Sequence, residues 1–110
     1  MQVFTIINQQ GPVPITSKFN PPLDGPALLA VTGTLWATAP NNMIQLNVVL
    51  DGASIGTARI FSNAASTHRA LPTVFLGINL KSGPHVLELT VSGTSVTSDA
   101  NDSFFAGLLY

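Results

Sequence analysis

The chain has 110 residues, no cysteine, a formal net charge of −1 and charged side chains at only 8% of its positions, against about 25% in ordinary soluble domains. This length predicts one domain over residues 1–110. The absence of cysteine excludes disulfides and thiolate metal sites. Four scattered basic residues give no footprint for nucleic acid. No apolar run approaches the ~20 residues of a membrane helix, so we expect no membrane insertion.

The low charge is the most unusual feature of the composition, because 45% of the residues are hydrophobic. It indicates a surface that is covered by Ser, Thr and Asn or hidden against other subunits, and we favour both. The alternative is a monomer with a neutral, hydroxyl-rich exterior. Nothing near Met1 has the basic segment and apolar core of a classical signal peptide.

The first half of the chain contains strand-forming segments that are separated by turn signals. Residues 2–7 begin the series, and a short piece follows at 13–16, which Pro12 and Pro14 confine to a sheet edge because they lack N–H donors. Residues 27–38 form the longest candidate, with apolar residues on both parities and Gly33 as a bulge or a close backbone approach. Residues 44–50 alternate with a period of two and end at Asp51-Gly52, a strong hairpin signal. The return strand covers residues 54–61.

The second half continues the pattern. A strand begins after Pro72 and ends at Leu80, and residues 87–91 alternate apolar and polar side chains beyond a Ser-Gly-Pro turn. A polar loop, with a short strand at 95–97, leads into a closing apolar strand that ends at Tyr110. Seven to nine short strands without helical periodicity predict an all-β antiparallel sandwich or jelly roll.

The closing segment, residues 101–110, reads Asn-Asp-Ser-Phe-Phe-Ala-Gly-Leu-Leu-Tyr. It resembles the last strand of complement C1q globular-head domains, which belong with the tumour necrosis factor-like proteins. Residues 79–83 and 86–89 are similar to the leucine, glycine turn and alternating strand of that family, and residues 46–52 to its strand with an exposed turn. The segment 32–36 is a looser counterpart of its Gly-aromatic strand, and no collagen-like stalk is present.

The resemblance implies a ten-strand jelly roll that assembles as a compact homotrimer. In each of the pairs Phe104/Phe105, Leu108/Leu109 and Leu28/Leu29, one side chain would then lie inside the sandwich and the other between subunits. A closed cyclic assembly of this kind covers apolar surface without open-ended growth.

The loop before the closing strand is a candidate metal site. Asp99, Asn101 and Asp102 place three oxygen-bearing side chains within four residues, and calcium takes six to eight oxygens, some of which backbone carbonyls or Asp51 would add. The alternative interpretation is a set of Asx-turns that fold the loop. Asn101-Asp102-Ser103 also matches a glycosylation sequon.

Four further residues are candidate ligand-binding positions: His68, Arg69, Asn63 and Trp36. His68 and Arg69 follow a small polar loop that contains Asn63, and their side chains suit sugar hydroxyls or carboxylates. The alternative for that pair is a solvated loop end. Trp36 offers a stacking face for a sugar ring, whereas a single tryptophan in an apolar strand is more often a core residue. His85 shares parity with Leu87 and is expected near the core edge.

Catalysis is disfavoured. No Gly-x-Ser-x-Gly nucleophile motif occurs, and Glu88 is the only glutamate. We therefore expect a non-enzymatic binding or adhesion head, homotrimeric and C1q-like, that binds carbohydrate or protein ligands through loops or subunit clefts and acts outside the cell or at a surface. The alternatives are a structural trimeric tip of a fibre or particle, and a calcium-dependent lectin.

Overall fold

A computed structural model describes all residues from Met1 to Tyr110, and it contains strands but no helix. No helix able to cross a membrane is therefore present. The ten strands are β1 (Val3–Gln10), β2 (Ile15–Phe19), β3 (Gly25–Ala37), β4 (Asn42–Leu50), β5 (Ala53–Ser62), β6 (Arg69–Ala70), β7 (Val74–Leu80), β8 (His85–Thr90), β9 (Val96–Thr97) and β10 (Ser103–Leu109).

The strands form two antiparallel sheets that pack face to face. The first sheet has the order β1-β10-β3, with β7 and β6 on the other edge of the long strand β3, and the two-residue β9 pairs with the end of β3; the second has the order β2-β8-β4-β5. If the two-residue strands β6 and β9 are set aside, successive strands alternate between sheets except where a hairpin joins them. This is the eight-strand arrangement of a jelly roll, and the predicted fold class is confirmed.

The core lies between the sheets and follows from the period of two in the sequence. Ile44, Leu46 and Val48 on β4 are fully buried, as the alternation over residues 44–50 predicts. Leu87 and Leu89 on β8 face them from the neighbouring strand. Nineteen buried hydrophobic residues form this single cluster, so each sheet contributes one apolar face and presents the other face outward.

Gly33 marks a close approach rather than a bulge. It lies opposite Phe104 in the β3–β10 ladder, and the register is continuous there. A Cβ atom on Gly33 would lie 2.9 Å from Phe104 Cε1 and closer still to Cδ1. The absence of a side chain at Gly33 therefore lets the buried Phe104 ring lie across the strand.

The outer surfaces of the two sheets differ sharply in charge. The outward parity of the first sheet, which we call the uncharged face, has no Asp, Glu, Lys or Arg. Its side chains on the four main strands are Val3, Thr5, Asn8, Gln10, Pro26, Leu28, Ala30, Thr32, Thr34, Trp36, Phe75, Gly77, Asn79, Ser103, Phe105, Gly107 and Leu109. The outer face of the second sheet carries Lys18, Arg59 and Glu88.

The two ends of the chain meet at one edge of the first sheet. β1 pairs with β10 from Val3–Leu109 to Gln10–Ser103. Beyond the strands, the Gln2 N–H donates to the Tyr110 carbonyl at 2.6 Å and the Tyr110 N–H donates to the Gln2 carbonyl at 3.0 Å. The apolar closing strand thus lies inside the sheet, between β1 and β3, as its composition predicts.

Candidate functional site

One end of the sandwich collects most of the residues that the sequence singles out. The last residues of β3, the loop between β5 and β6, and the loop between β9 and β10 all reach this end. They bring together Trp36, His68, Asp99 and Asp102. His68 and Asp102 are 34 residues apart in the chain, so the fold and not local sequence creates this cluster.

Asp102 is the centre of the cluster and has no exposed surface. Its Oδ1 accepts hydrogen bonds from the Thr34 hydroxyl at 2.7 Å and from His68 Nδ1 at 2.6 Å. Its Oδ2 accepts from the Asp99 N–H at 2.8 Å. A buried carboxylate needs such donors to offset the loss of water. These bonds therefore fix the loop on the end of β3.

The loop itself is closed by local hydrogen bonds. Asp99 Oδ1 accepts from the Asn101 N–H at 2.8 Å, and the Asp102 N–H donates to the Asp99 carbonyl at 3.1 Å. The first of these is the side-chain-to-backbone bond of an Asx-turn. Ser98, also buried, accepts from the Val13 N–H through its hydroxyl oxygen at 2.8 Å and ties the loop to the connection between β1 and β2.

His68 lies between two carboxylates. Its Nε2 is 3.7 Å from Asp99 Oδ2, and the side chain is 41% exposed. The hydrogen bond to Asp102 is the main reason that the pKa of His68 is raised above its usual 6.5; desolvation opposes this, and the charges of Asp102 and Asp99 add to it. A His–Asp pair occurs in hydrolytic triads. Here, however, Nε2 faces a carboxylate instead of a serine hydroxyl.

The Trp36 side chain lies on the outward side of β3 and is half-buried, so Trp36 is not a core residue. Its ring centroid lies 6.0 Å from that of His68, with a 50° angle between the planes. Its Nε1 is buried without a hydrogen-bond partner. An aromatic side chain thus stands beside the polar cluster, as the ligand-binding interpretation of Trp36 requires.

A shallow cavity of about 220 Å³ on the uncharged face adjoins the cluster. Its lining shares Thr34 with the cluster and adds the polar side chains of Asn8, Thr32 and Ser103 and the Phe105 ring. Hydroxyl, amide and aromatic groups therefore continue from the loop end onto the sheet.

Arg69 and Asn63 do not join this cluster. Arg69 pairs with Leu35 across β6 and β3, and its guanidinium makes no ion pair within 4 Å. Asn63 is exposed in the loop after β5. β4 begins at Asn42, just after the end of β3 that carries the cluster, and Asp51, expected as a further metal ligand, follows the far end of β4. There Asp51 pairs with His85. Their places in the sequence gave no signal of these separations.

A second His–Asp pair anchors the β4–β5 turn. His85 Nδ1 lies 2.6 Å from Asp51 Oδ2 and His85 Nε2 lies 2.7 Å from the Lys81 carbonyl. Because both ring nitrogens face acceptors, the doubly protonated ring satisfies both contacts. The Asp51 hydrogen bond raises the pKa of His85. Burial would raise the pKa of Asp51, but the His85 and Val86 N–H bonds lower it. The ring packs on Phe19, at the core edge as predicted.

The loop does not fit calcium in this arrangement. His68, Asp99 and Asp102 each place one ligand atom within 4.8 Å of the others. One of these atoms is an imidazole nitrogen, whereas calcium takes six to eight oxygens. Both Asp102 oxygens and Asp99 Oδ1 already accept hydrogen bonds. A calcium ion would have to displace these donors.

The fold defines the class: a jelly-roll β-sandwich. No protein-family model and no curated protein matches the chain. Among solved structures, a CBM36 carbohydrate-binding module in complex with calcium and xylotriose is similar, with TM-score 0.50 and 11% identity over 99% of this chain and 98% of that one. The CBM36-1 domain of a multidomain xylanase from the hindgut metagenome of Trinervitermes trinervoides gives TM-score 0.52 and 13% identity over 97% and 94%.

These similarities support the jelly-roll class, but they do not support the specific resemblance to C1q and tumour necrosis factor-like heads. The residues that carried that resemblance form the closing strand β10, the neighbouring strands β4 and β8, and the turn between β7 and β8. Alternating strands and glycine turns of this kind serve any antiparallel sandwich, so they indicate the fold better than the family.

Proposed function

We propose that the chain is a non-catalytic carbohydrate-binding domain whose site is the loop end formed by Trp36, His68, Asp99 and Asp102. The observation that carries this proposal is the aromatic ring of Trp36, 6.0 Å from His68, beside a buried, fully hydrogen-bonded carboxylate. Sugars are bound by stacking on aromatic rings and by hydrogen bonds to their hydroxyls. Similarity in fold to a module in complex with xylotriose adds support.

In this arrangement each residue has a distinct role. Trp36 offers apolar surface to a sugar ring. His68 and Asp99 are partly exposed, at 41% and 43% of their side chains, and they provide a donor and an acceptor for hydroxyls. Asp102 is buried and acts through His68, whose ring it orients.

The test is a glycan array followed by calorimetry with xylotriose, for the wild type and for Trp36→Ala and His68→Ala. We expect binding that falls by roughly two- to tenfold in both variants, since one stacking or hydrogen-bonding contact contributes about 0.5–1.5 kcal/mol. Phe61→Ala is the matched control, because Phe61 is an exposed aromatic on the other sheet. Circular dichroism confirms folding. If the wild type binds no glycan with or without calcium, the proposal is wrong.

A calcium-dependent lectin is the second candidate. The ligand atoms of His68, Asp99 and Asp102 lie close together, and the similar module is in complex with calcium, although a calcium ion would have to displace the donors whose hydrogen bonds Asp99 and Asp102 now accept. The hydrogen-bonded loop favours metal-independent binding instead. Repeating the titration with a chelator separates the two: unchanged affinity supports the first candidate, and loss that calcium restores supports the second. The homotrimer and the structural-tip alternative stay predictions.

A further inference from the structure

The uncharged face is unusual for a surface in contact with water. Val3 and Phe75 are each 58% exposed and Leu28 is 43% exposed, all on this one face. None of the nine charged residues of the chain has its side chain there. Three of them lie instead on the outer face of the second sheet, five lie in turns and loops, and Arg69 on β6 is level with the buried Leu35. Depletion of charge with exposed aromatic and aliphatic groups is the compositional mark of a protein–protein interface.

The face has both a projection and a matching groove. Phe75 stands out from β7, and a groove of about 570 Å³ lies two residues further along the strand, lined by Pro26, Leu28, Gly77, Asn79 and Leu109. The floor of the groove at Gly77 is open, with no atom within 4 Å of a Cβ built there. A surface that carries its own projection and its own groove can pair with a copy of itself.

The strand register makes this self-pairing specific. Gly77 lies level with Leu28, and Phe75 lies level with Ala30, in the β3–β7 ladder. A twofold axis that lies between the two copies and crosses the strands midway between these levels exchanges them. Each Phe75 then lies over Gly77 of the second copy, and each Leu28 lies over Ala30 of the second copy. Large side chains thus meet small ones in both pairs.

The size of the face is sufficient for a specific contact. Four strands about 4.8 Å apart and about seven residues long cover roughly 20 × 25 Å, or about 500 Å² in projection. Side-chain relief raises the accessible area above this figure, toward the ~600 Å² per partner of the smaller specific interfaces. Apolar side chains that stay in water in the monomer would be buried there.

We propose that a second copy of this chain packs on the uncharged face and forms a twofold dimer in which each Phe75 fills the groove at Gly77 of the other copy. Trp36 lies seven residues from the axis, about 23 Å along β3, whereas β3 of the second copy reaches only four residues to that side, where it begins at Gly25. The proposal does not depend on carbohydrate binding.

The test is sedimentation velocity of the full chain over a concentration series, with the wild type and three variants. We expect the wild type to reach the mass of two 11.5 kDa chains. Phe75→Lys should raise the dimer dissociation constant on the order of a hundredfold, because two buried aromatic contacts are lost per dimer. Phe61→Lys is the matched control, since it makes the same change at an exposed Phe on the outer face of the second sheet, and it should leave the dimer intact.

Gly77→Phe distinguishes specific pairing from general stickiness. It adds apolar surface at a position with open space, so non-specific association would strengthen. A filled groove cannot accept Phe75, so the proposed dimer would weaken. A monomeric wild type at high concentration, or a dimer that Phe75→Lys leaves unchanged, overturns the proposal. A trimer that Phe75→Lys dissociates keeps the face as the contact but overturns the twofold arrangement.

Discussion

Gly33 and Phe104 form a contact in which a missing side chain has a structural role. The Phe104 ring is 2% exposed and lies across Gly33, where a methyl group would overlap it. We predict that Gly33→Ala lowers the free energy of unfolding by about 2 kcal/mol, as overpacking in a rigid core does. Urea denaturation measures the change.

Gly77→Ala is the control for this prediction, with both variants measured at a protein concentration at which the chain is monomeric. A Cβ at Gly77 has no neighbour within 4 Å, and alanine in a strand restricts the unfolded chain more than glycine does. Its stability should stay within about 0.5 kcal/mol of the wild type. Equal effects of the two substitutions would show that the Phe104 ring moves freely aside, contrary to the packing described above.

The residues of the site illustrate what sequence can predict at this scale. Asp99, Asn101 and Asp102 stand out because oxygen-bearing side chains cluster within four positions. The pairing of Asp102 with His68 and Thr34 joins segments 34 and 68 residues away, which no local pattern reveals. The buried role of Asp102 follows from the strand order and could not be predicted.

The β4–β5 hairpin and the start of β8 are joined by the His85–Asp51 pair. The contribution of His85 to stability is full below its unfolded pKa of about 6.5, and it is lost as the pH rises through the higher pKa of the folded state. The pKa of Asp51 is lowered from 3.8, so its contribution is lost only in stronger acid, as the pH falls through the lowered folded value. Both are intact between roughly pH 4 and 6.5.

We predict that His85→Gln destabilises the protein by about 1 kcal/mol near pH 5.5, and by less near pH 8.5. The size is modest because 46% of the Asp51 side chain is exposed and solvent screens the pair. Thermal unfolding of both proteins at the two values measures the difference, and the comparison cancels the titration of His68. A gap that stays constant with pH would contradict the charged-pair interpretation.

The elements themselves were largely predictable. Alternation over residues 44–50 and the Asp51-Gly52 turn correctly predicted the β4–β5 hairpin. A strand that is buried on one face alternates apolar and polar residues, so its burial can be inferred from the sequence. The boundaries were less accurate: β1 extends to Gln10 through the polar residues after Ile7. Backbone pairing with β10 holds those polar residues in the sheet, and side-chain pattern does not show backbone pairing.

At the scale of the whole molecule, the distribution of charge matters more than its amount. Composition predicted a partly hidden surface but not its location. The sheet order places the outward apolar side chains together on the uncharged face and the charged side chains elsewhere. Predicting this from sequence would require knowing which strands neighbour one another.

An interface without ions should respond to salt in a characteristic way. We predict that raising sodium chloride from about 0.05 to 0.5 M leaves the dimer dissociation constant unchanged or lowers it, since salt screens charge pairs but not apolar contact. Sedimentation at the two concentrations measures this. Weakening of the dimer with added salt would point to an ion-paired contact elsewhere on the surface.

The hydrogen bonds between Gln2 and Tyr110 place the two ends of the chain side by side. A short peptide could join them without disturbing any ladder, and new ends could be opened in an exposed loop such as residues 92–95. A circularly permuted version would keep all strand pairings in the same order. Because the two ends lie side by side, the whole domain can also be inserted into a surface turn of a host protein.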